Sequence, residues 1–175
     1  GGRGRAARVP LSGARALDAA IAAAREAGEV LLGHFGRLDP ARVEEKALND
    51  VVSIADRESE AVIRRVVLGA FPEDRFLGEE TGLSGTSETA PSWIVDPLDG
   101  TANFVRGFPH WAVSIARTRG GLLGAFEAGV VWDPVKKDLF TAEAGAGAFR
   151  NGHRLRVPPR PGLSGSALAT GFPFR

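Results

Sequence analysis

The chain has 175 residues, 43% apolar and 25% charged, enough to bury one substantial core and outside the range of disordered or fibrous chains. Its 22 basic and 21 acidic residues leave a formal net charge of +1, so bulk electrostatics give no reason to expect a nucleic-acid partner. With no cysteine there is no disulfide, thiolate nucleophile or cysteine-bound zinc, which fits the reducing cytoplasm and leaves metal chemistry to oxygen or histidine.

Residues 1–13 carry Arg3, Arg5 and Arg8 with no acid before Asp18, the composition of a flexible basic tail. Residues 14–175 then form part of one domain. From Ala14 to Leu38, Leu17, Ile21, Ala24, Gly28, Leu31, Leu32 and Phe35 recur at spacings of three and four, which predicts a helix laid on a core. A second helix is predicted from Val51 to Phe71, with Ser53 as cap, Asp56 closing a capping box and Val62, Ile63, Val66, Val67 and Ala70 buried; Pro72 stops it. TGLSGTSETAPS at 81–92 has the small polar composition of an exposed loop. No apolar run approaches the ~20 residues of a membrane span, and no membrane partner is expected.

Beyond this loop the period changes. WIVD, HWAVSIART, LLGAFEAGVVWD and KDLFTAEA are short, rich in β-branched and aromatic residues, and punctuated by Gly120-Gly121 and Asp133-Pro134. They predict strands, and Asn151-Gly152 predicts a tight hairpin between AFR and RLRV. Two helices followed by a run of strands define an α+β arrangement, both helices packed on one largely antiparallel sheet.

The chemistry concentrates in DPLDGT at 96–101. Ile94 and Val95 end an apolar run, and Pro97 biases Asp96 to an extended backbone where the strand leaves the sheet. Asp99 follows within a turn, Gly100 lets the chain bend, and Thr101 adds a hydroxyl. With the Leu98 carbonyl these are hard oxygen donors, suited to Mg2+ and unsuited to zinc. His34, His110 and His153 are scattered and form no zinc motif. A plain turn would also use Asp, Pro and Gly, so the pattern alone leaves both readings open. Upstream, FLGEE at 76–80 is another apolar segment emptying into acids.

GEE at 78–80, WIVDPLDGTANF at 93–104, GFPHWAVSIA at 107–116, GVVWDPVKKDLFTAEAGAGAFRNGHRLRV at 129–157 and ATGFPF at 169–174 together resemble the inositol monophosphatase family of magnesium-dependent, lithium-sensitive phosphatases. The likeness runs from about Ala14 to the end, and GAGAFRNG favours the inositol-phosphatase branch over the related bisphosphatases. The resemblance implies that Glu79, Asp96 and the Leu98 carbonyl hold a first metal, Asp96 and Asp99 part of a second, and Glu79 a weaker third. It implies that Asp99 also meets the substrate and that the Gly100 and Thr101 amides hold the phosphate. Lys46 matches the lysine of an early metal-site loop, and Asp56 an aspartate paired with the Thr101 hydroxyl. Either Glu79, or Thr101 backed by Asp56, activates the attacking water. His110 is expected to pack or hydrogen-bond beside Trp111 rather than catalyse.

The implied activity is hydrolysis of a small phosphate monoester, inositol monophosphate first, with histidinol phosphate, fructose bisphosphate and nucleotide 3′-phosphates as alternatives. A different implied class is a non-catalytic binding module, since some bacterial members assist RNA polymerase. A homodimer is the family expectation. The family's later WDxAAG motif is absent, so the chain is expected to be a piece of a longer one, with weak metal binding, poor turnover and apolar sheet surface left exposed.

Overall fold

The computed structural model describes residues 12–37 and 45–157 together with 159, 162 and 165; the side chains of 12–15 and 45–53 fall outside the description. The proposed tail up to residue 11 and Leu38 also lie outside it.

Helix α1 spans Ser12–His34 and α2 spans Glu45–Ala70. The buried stripe of α1 is Ala16, Ala20, Ala23, Ala24, Ala27 and Leu31, whereas Leu17, Ile21 and Phe35 are only partly buried and Leu32 is exposed. The stripe is therefore turned from the predicted one toward alanines. Small side chains let α1 approach both α2 and the sheet closely, and the larger ones fill the flanks. Gly28 marks the tightest point: a methyl there would lie 2.6 Å from Trp132 Nε1.

In α2, Ile63 and Val67 are fully buried, Val62 and Val66 flank them, and Ala70 is exposed. The helix starts at Glu45, not at Ser53, so the predicted capping box does not exist and Asp56 lies inside the helix. Glu45, Lys46, Ala47 and Leu48 are good helix formers, and they carry the helix through Asn49 and Asp50.

The strands are β1 (Arg75–Gly78), β2 (Gly82–Ser84), β3 (Ser92–Asp99), β4 (Ala112–Arg119), β5 (Ala125–Asp133), β6 (Asp138–Glu143), β7 (Gly147–Arg150) and β8 (His153–Arg154). They form one sheet in the order β2-β1-β3-β4-β5-β6-β7-β8. Every pairing is antiparallel except β1 with β3. Strand β2 forms inside the segment expected to be loop, pairing Leu83 with Leu77. Asn151 and Gly152 have φ of 50° and 79°, and the hairpin they turn pairs Arg150 with His153, as their sequence predicts.

Phe76, Trp93, Val95, Val113, Ile115, Ala128 and Val130 bury the sheet's helix-facing side against α1 and α2. On the opposite side, Ser114, Ala116, Gly129, Val131 and Phe140 line a hollow of about 360 Å³. A larger one, about 700 Å³, lies beside Phe126 and Ala142, well along the sheet from DPLDGT. Phe126 and Leu155 are exposed, so this side shows the apolar surface the sequence leads one to expect. Among the described residues no helix is long and apolar enough to cross a membrane.

Candidate active site

The parallel pairing of β1 with β3 places the site. Gly78 stands opposite Val95 in the register, so Glu79, the first residue past the end of β1, comes beside Asp96, the next residue along β3. Functional groups gather at the carboxyl ends of adjacent parallel strands for this geometric reason. Strand β3 runs on to Asp99, past the end predicted near Val95, but its pairing with β4 slips between Asp96 and Asp99. Within that irregularity the Leu98 N–H donates to Asp96 Oδ1 at 3.1 Å, a local turn held by the aspartate itself. Gly100 then takes φ 98° and leads into the short helix α3 (Thr101–Val105). A side chain at Gly100 would meet the His110 carbonyl at 3.0 Å and Trp111 Cα at 3.2 Å, so both the bend and the space require glycine.

Glu79 and Asp96 meet. Burial first, then the charges of Glu79 and Asp99 and a hydrogen bond shared with Glu79, push the Asp96 carboxyl up to about 6, against the opposing bond from Leu98. Asp56 reaches the same region from α2. Burial, followed by Glu80, Glu79, Asp96 and Glu60, pushes its carboxyl up to about 7. Its Oδ1 is buried and has no hydrogen-bond partner among the described residues. The strongest charges acting on both aspartates are thus carboxylates, an arrangement that calls for a cation.

Thr101 differs from the family expectation. Its hydroxyl donates to the Leu98 carbonyl at 3.0 Å rather than to Asp56, because the tight turn at Gly100 brings that carbonyl within reach. Lys46 lies in the first turn of α2, with its side chain outside the described residues. His110 is hydrogen-bonded, as expected: Nδ1 lies 2.9 Å from Lys136 Nζ, and Lys136 also pairs with Asp133 at 2.6 Å. Asp99, Gly100, Asn103, His110, Trp111 and Asp133 help line a cleft of about 300 Å³ that Asp56 and Asp96 do not line.

Two residues that the sequence reading passed over hold this edge together. Ser59 Oγ donates to the Pro97 carbonyl at 3.0 Å, and Glu60 accepts the Glu80 and Thr81 N–H groups at 2.8 and 3.0 Å. The available signal was their place in DRESE, three and four residues after Asp56 on one helix face.

The donors suit Mg2+ in kind: carboxylate and carbonyl oxygens, like charges pressed together, and an orphaned buried oxygen on Asp56. Their number is short, since among the described residues no three His, Asp or Glu side chains are gathered so as to hold a metal ion. The predicted ligands Glu79, Asp96 and the Leu98 carbonyl could therefore make up only part of a metal's donor set.

The raised Asp56 carboxyl has a measurable consequence. Its charged form is penalised in the folded state, so its contribution to stability is fullest below the ordinary aspartate value of 3.8 and is lost as pH rises through about 7. Metal-free protein should melt at falling temperature between about pH 4 and 7 and level off above that. Asp56→Asn should flatten that decline and melt above the wild type at the alkaline end; thermal melts in chelator check it, and an unchanged slope would refute it.

Two helices on one largely antiparallel sheet, with an acidic DPLDGT edge, make the α+β arrangement also found in solved inositol monophosphatases. The model of the inositol monophosphatase family matches residues 14–175, and the chain belongs to that family. It is 47% identical over 161 residues to the Nus factor SuhB of Pseudomonas aeruginosa, covering 91% of this chain and 58% of that protein. The Nus factor SuhB of Escherichia coli K12 is 42% identical over 160 residues with the same coverage. Among solved structures, the inositol monophosphatase of Anabaena superposes with a TM-score of 0.69 at 36% identity, covering 85% of this chain and 51% of that one. The extragenic suppressor protein suhB of Bartonella henselae gives 0.69 at 39% identity, covering 82% and 54%. The chain thus spans little more than half the length of these relatives.

Proposed function

We propose that the protein takes part in Mg2+-dependent hydrolysis of a small phosphate monoester, inositol monophosphate being the favoured substrate. The observation that carries this reading is the meeting of Glu79 with Asp96 from separate stretches of a chain in this family. Glu79, Asp96 and the Leu98 carbonyl are assigned to the cation, with Asp99 facing both cation and substrate. Bound there, Mg2+ would neutralise phosphate charge and make a water more acidic.

The phosphate is assigned to the Gly100 and Thr101 amides, at the start of α3 where no side chain caps the helix. The cleft beside Asp99 and His110 has room for the rest of a small ester. Because the Thr101 hydroxyl donates to Leu98, the proton of the attacking water is assigned to Glu79 rather than to a Thr101–Asp56 pair. A cytoplasmic setting completes the proposal.

The test is phosphate release by the 175-residue chain. Inositol 1-phosphate, histidinol phosphate, fructose 1,6-bisphosphate and a nucleotide 3′-phosphate are offered with and without Mg2+. Slow, Mg2+-dependent release, fastest from inositol 1-phosphate and below the rate of a full-length relative, supports the reading. No release from any ester would overturn it. The name Nus factor borne by the similar SuhB proteins favours one second reading, a non-catalytic role in transcription. Mg2+-independent binding to RNA polymerase, with no hydrolysis, is its signature.

A further inference from the structure

Glu60 is only 1% exposed, and its two hydrogen bonds among the described residues are to backbone amides, Glu80 N at 2.8 Å and Thr81 N at 3.0 Å. Each carboxylate oxygen is committed to one amide. A buried carboxylate without a cation is costly to keep, so a merely space-filling role is a poor account of it. The approach on the other side is just as close: a methyl on Gly78 would sit 2.3 Å from the Glu60 carboxyl carbon and Oε2. Glu79 is the single residue between these two contacts, held by packing at Gly78 and by a hydrogen bond at Glu80. The neighbouring Ser59 grips the other carboxylate-bearing segment through the Pro97 carbonyl at 3.0 Å.

We infer that Glu60 is a positioning residue for the cation site: with Ser59 it forms a bracket on α2 that fixes the Glu79 segment against the Asp96 segment. This rests on the metal-dependent reading above and goes beyond it by assigning the geometry of the pair to a residue that touches neither ion nor substrate. An isolated β1 end would let Glu79 swing with its turn; the bracket gives it one direction.

The test uses Mn2+ as probe and the electron paramagnetic resonance signal of free Mn2+ as readout, on the 175-residue chain, with metal-free melts alongside. Glu60→Gln keeps the volume but has a single acceptor oxygen, and it turns an NH2 toward an amide N–H. It should weaken Mn2+ binding by roughly 10–100-fold. Gly78→Ala, which displaces the same carboxylate by contact, should act in the same direction and stands in if Glu60→Gln fails to fold. Gly28→Ala is the control for general destabilisation, since its clash is with Trp132 on β5 rather than with α2, β1 or β3; it should lower the melting temperature and leave Mn2+ affinity unchanged. Wild-type affinity in both Glu60→Gln and Gly78→Ala, or an equal loss in Gly28→Ala, would overturn the inference alone. Wild-type protein that shows no Mn2+ binding sensitive to Asp96→Asn would instead remove the cation site, and the positioning role with it.

Discussion

Arg117→Ala should cost about 3–5 kcal/mol of folding stability, the range found when one partner of a buried ion pair is removed. For a chain of this size that is a fall in melting temperature on the order of 10 °C. Arg117 is 6% exposed on β4, and its guanidinium forks onto Asp74 through Nε at 2.7 Å and Nη2 at 3.0 Å. Its Nη1 donates to Glu127, and the plane lies over the Phe71 ring at 4.5 Å and near Trp93 at 5.6 Å. Truncation therefore leaves carboxylates buried at two points and opens a gap between rings that cap the end of α2. Arg117→Lys should recover little, because a point charge cannot fork onto Asp74 and stack at once.

Arg119 supplies the comparison. It also donates to Glu127, at 2.8 Å, but its side chain is 58% exposed, so Arg119→Ala should cost far less than Arg117→Ala. Equal melting of the two variants would show that burial adds nothing to the pair. Burial alone would raise the Glu127 carboxyl, yet the bond from Arg119 and the charge of Arg117 outweigh it and hold it below the ordinary glutamate range. The stability this supplies is present above the ordinary glutamate value and lost as pH falls through the lowered one. Arg117→Ala should accordingly lose less in acid than the wild type does.

None of this cluster is visible in the residues alone, since Asp74, Arg117 and Glu127 come from three separate segments. What the sequence does reveal is local. The strands β3 to β8 announce themselves by alternation and by turn residues such as Asn151-Gly152, and both helices by their period. The start of α2 was hidden because Ser53 and Asp56 have the spacing of a capping box, while the EKAL run at 45–48 starts the helix earlier and carries it across them. Strand β2 is only three residues in a polar segment, too short for alternation to show. The acidic edge was legible as a motif but not as geometry: periodicity predicts hairpins, whereas the parallel neighbour β1, two strands away in sequence, is what brings Glu79 to Asp96. Spacing gave Asp56 a local role as part of a cap, and family likeness a pairing with the Thr101 hydroxyl. Its real surroundings are four other carboxylates from three segments, a long-range property that no window of residues contains.

Asp96→Asn should separate two effects of opposite sign at this edge. Asparagine keeps an oxygen for the Leu98 N–H, now bonded at 3.1 Å to Asp96 Oδ1, so the turn itself survives. Without metal, the substitution removes a carboxylate that burial and the charges of Glu79 and Asp99 push up to about 6. At a pH well above that value the variant should therefore melt higher than the wild type. Added Mg2+ reverses the order. A site filled at about a hundredfold excess of ligand over Kd gains roughly 2.7 kcal/mol, and only the wild type retains the charged oxygen that makes the gain. The variant should respond weakly to Mg2+, and phosphate release should drop on the order of 100-fold. The two melting curves, measured against Mg2+ concentration at fixed pH, should then cross. Parallel curves that both rise would take Asp96 out of the ligand set, and two flat ones would leave the repulsion among these carboxylates without the cation it calls for.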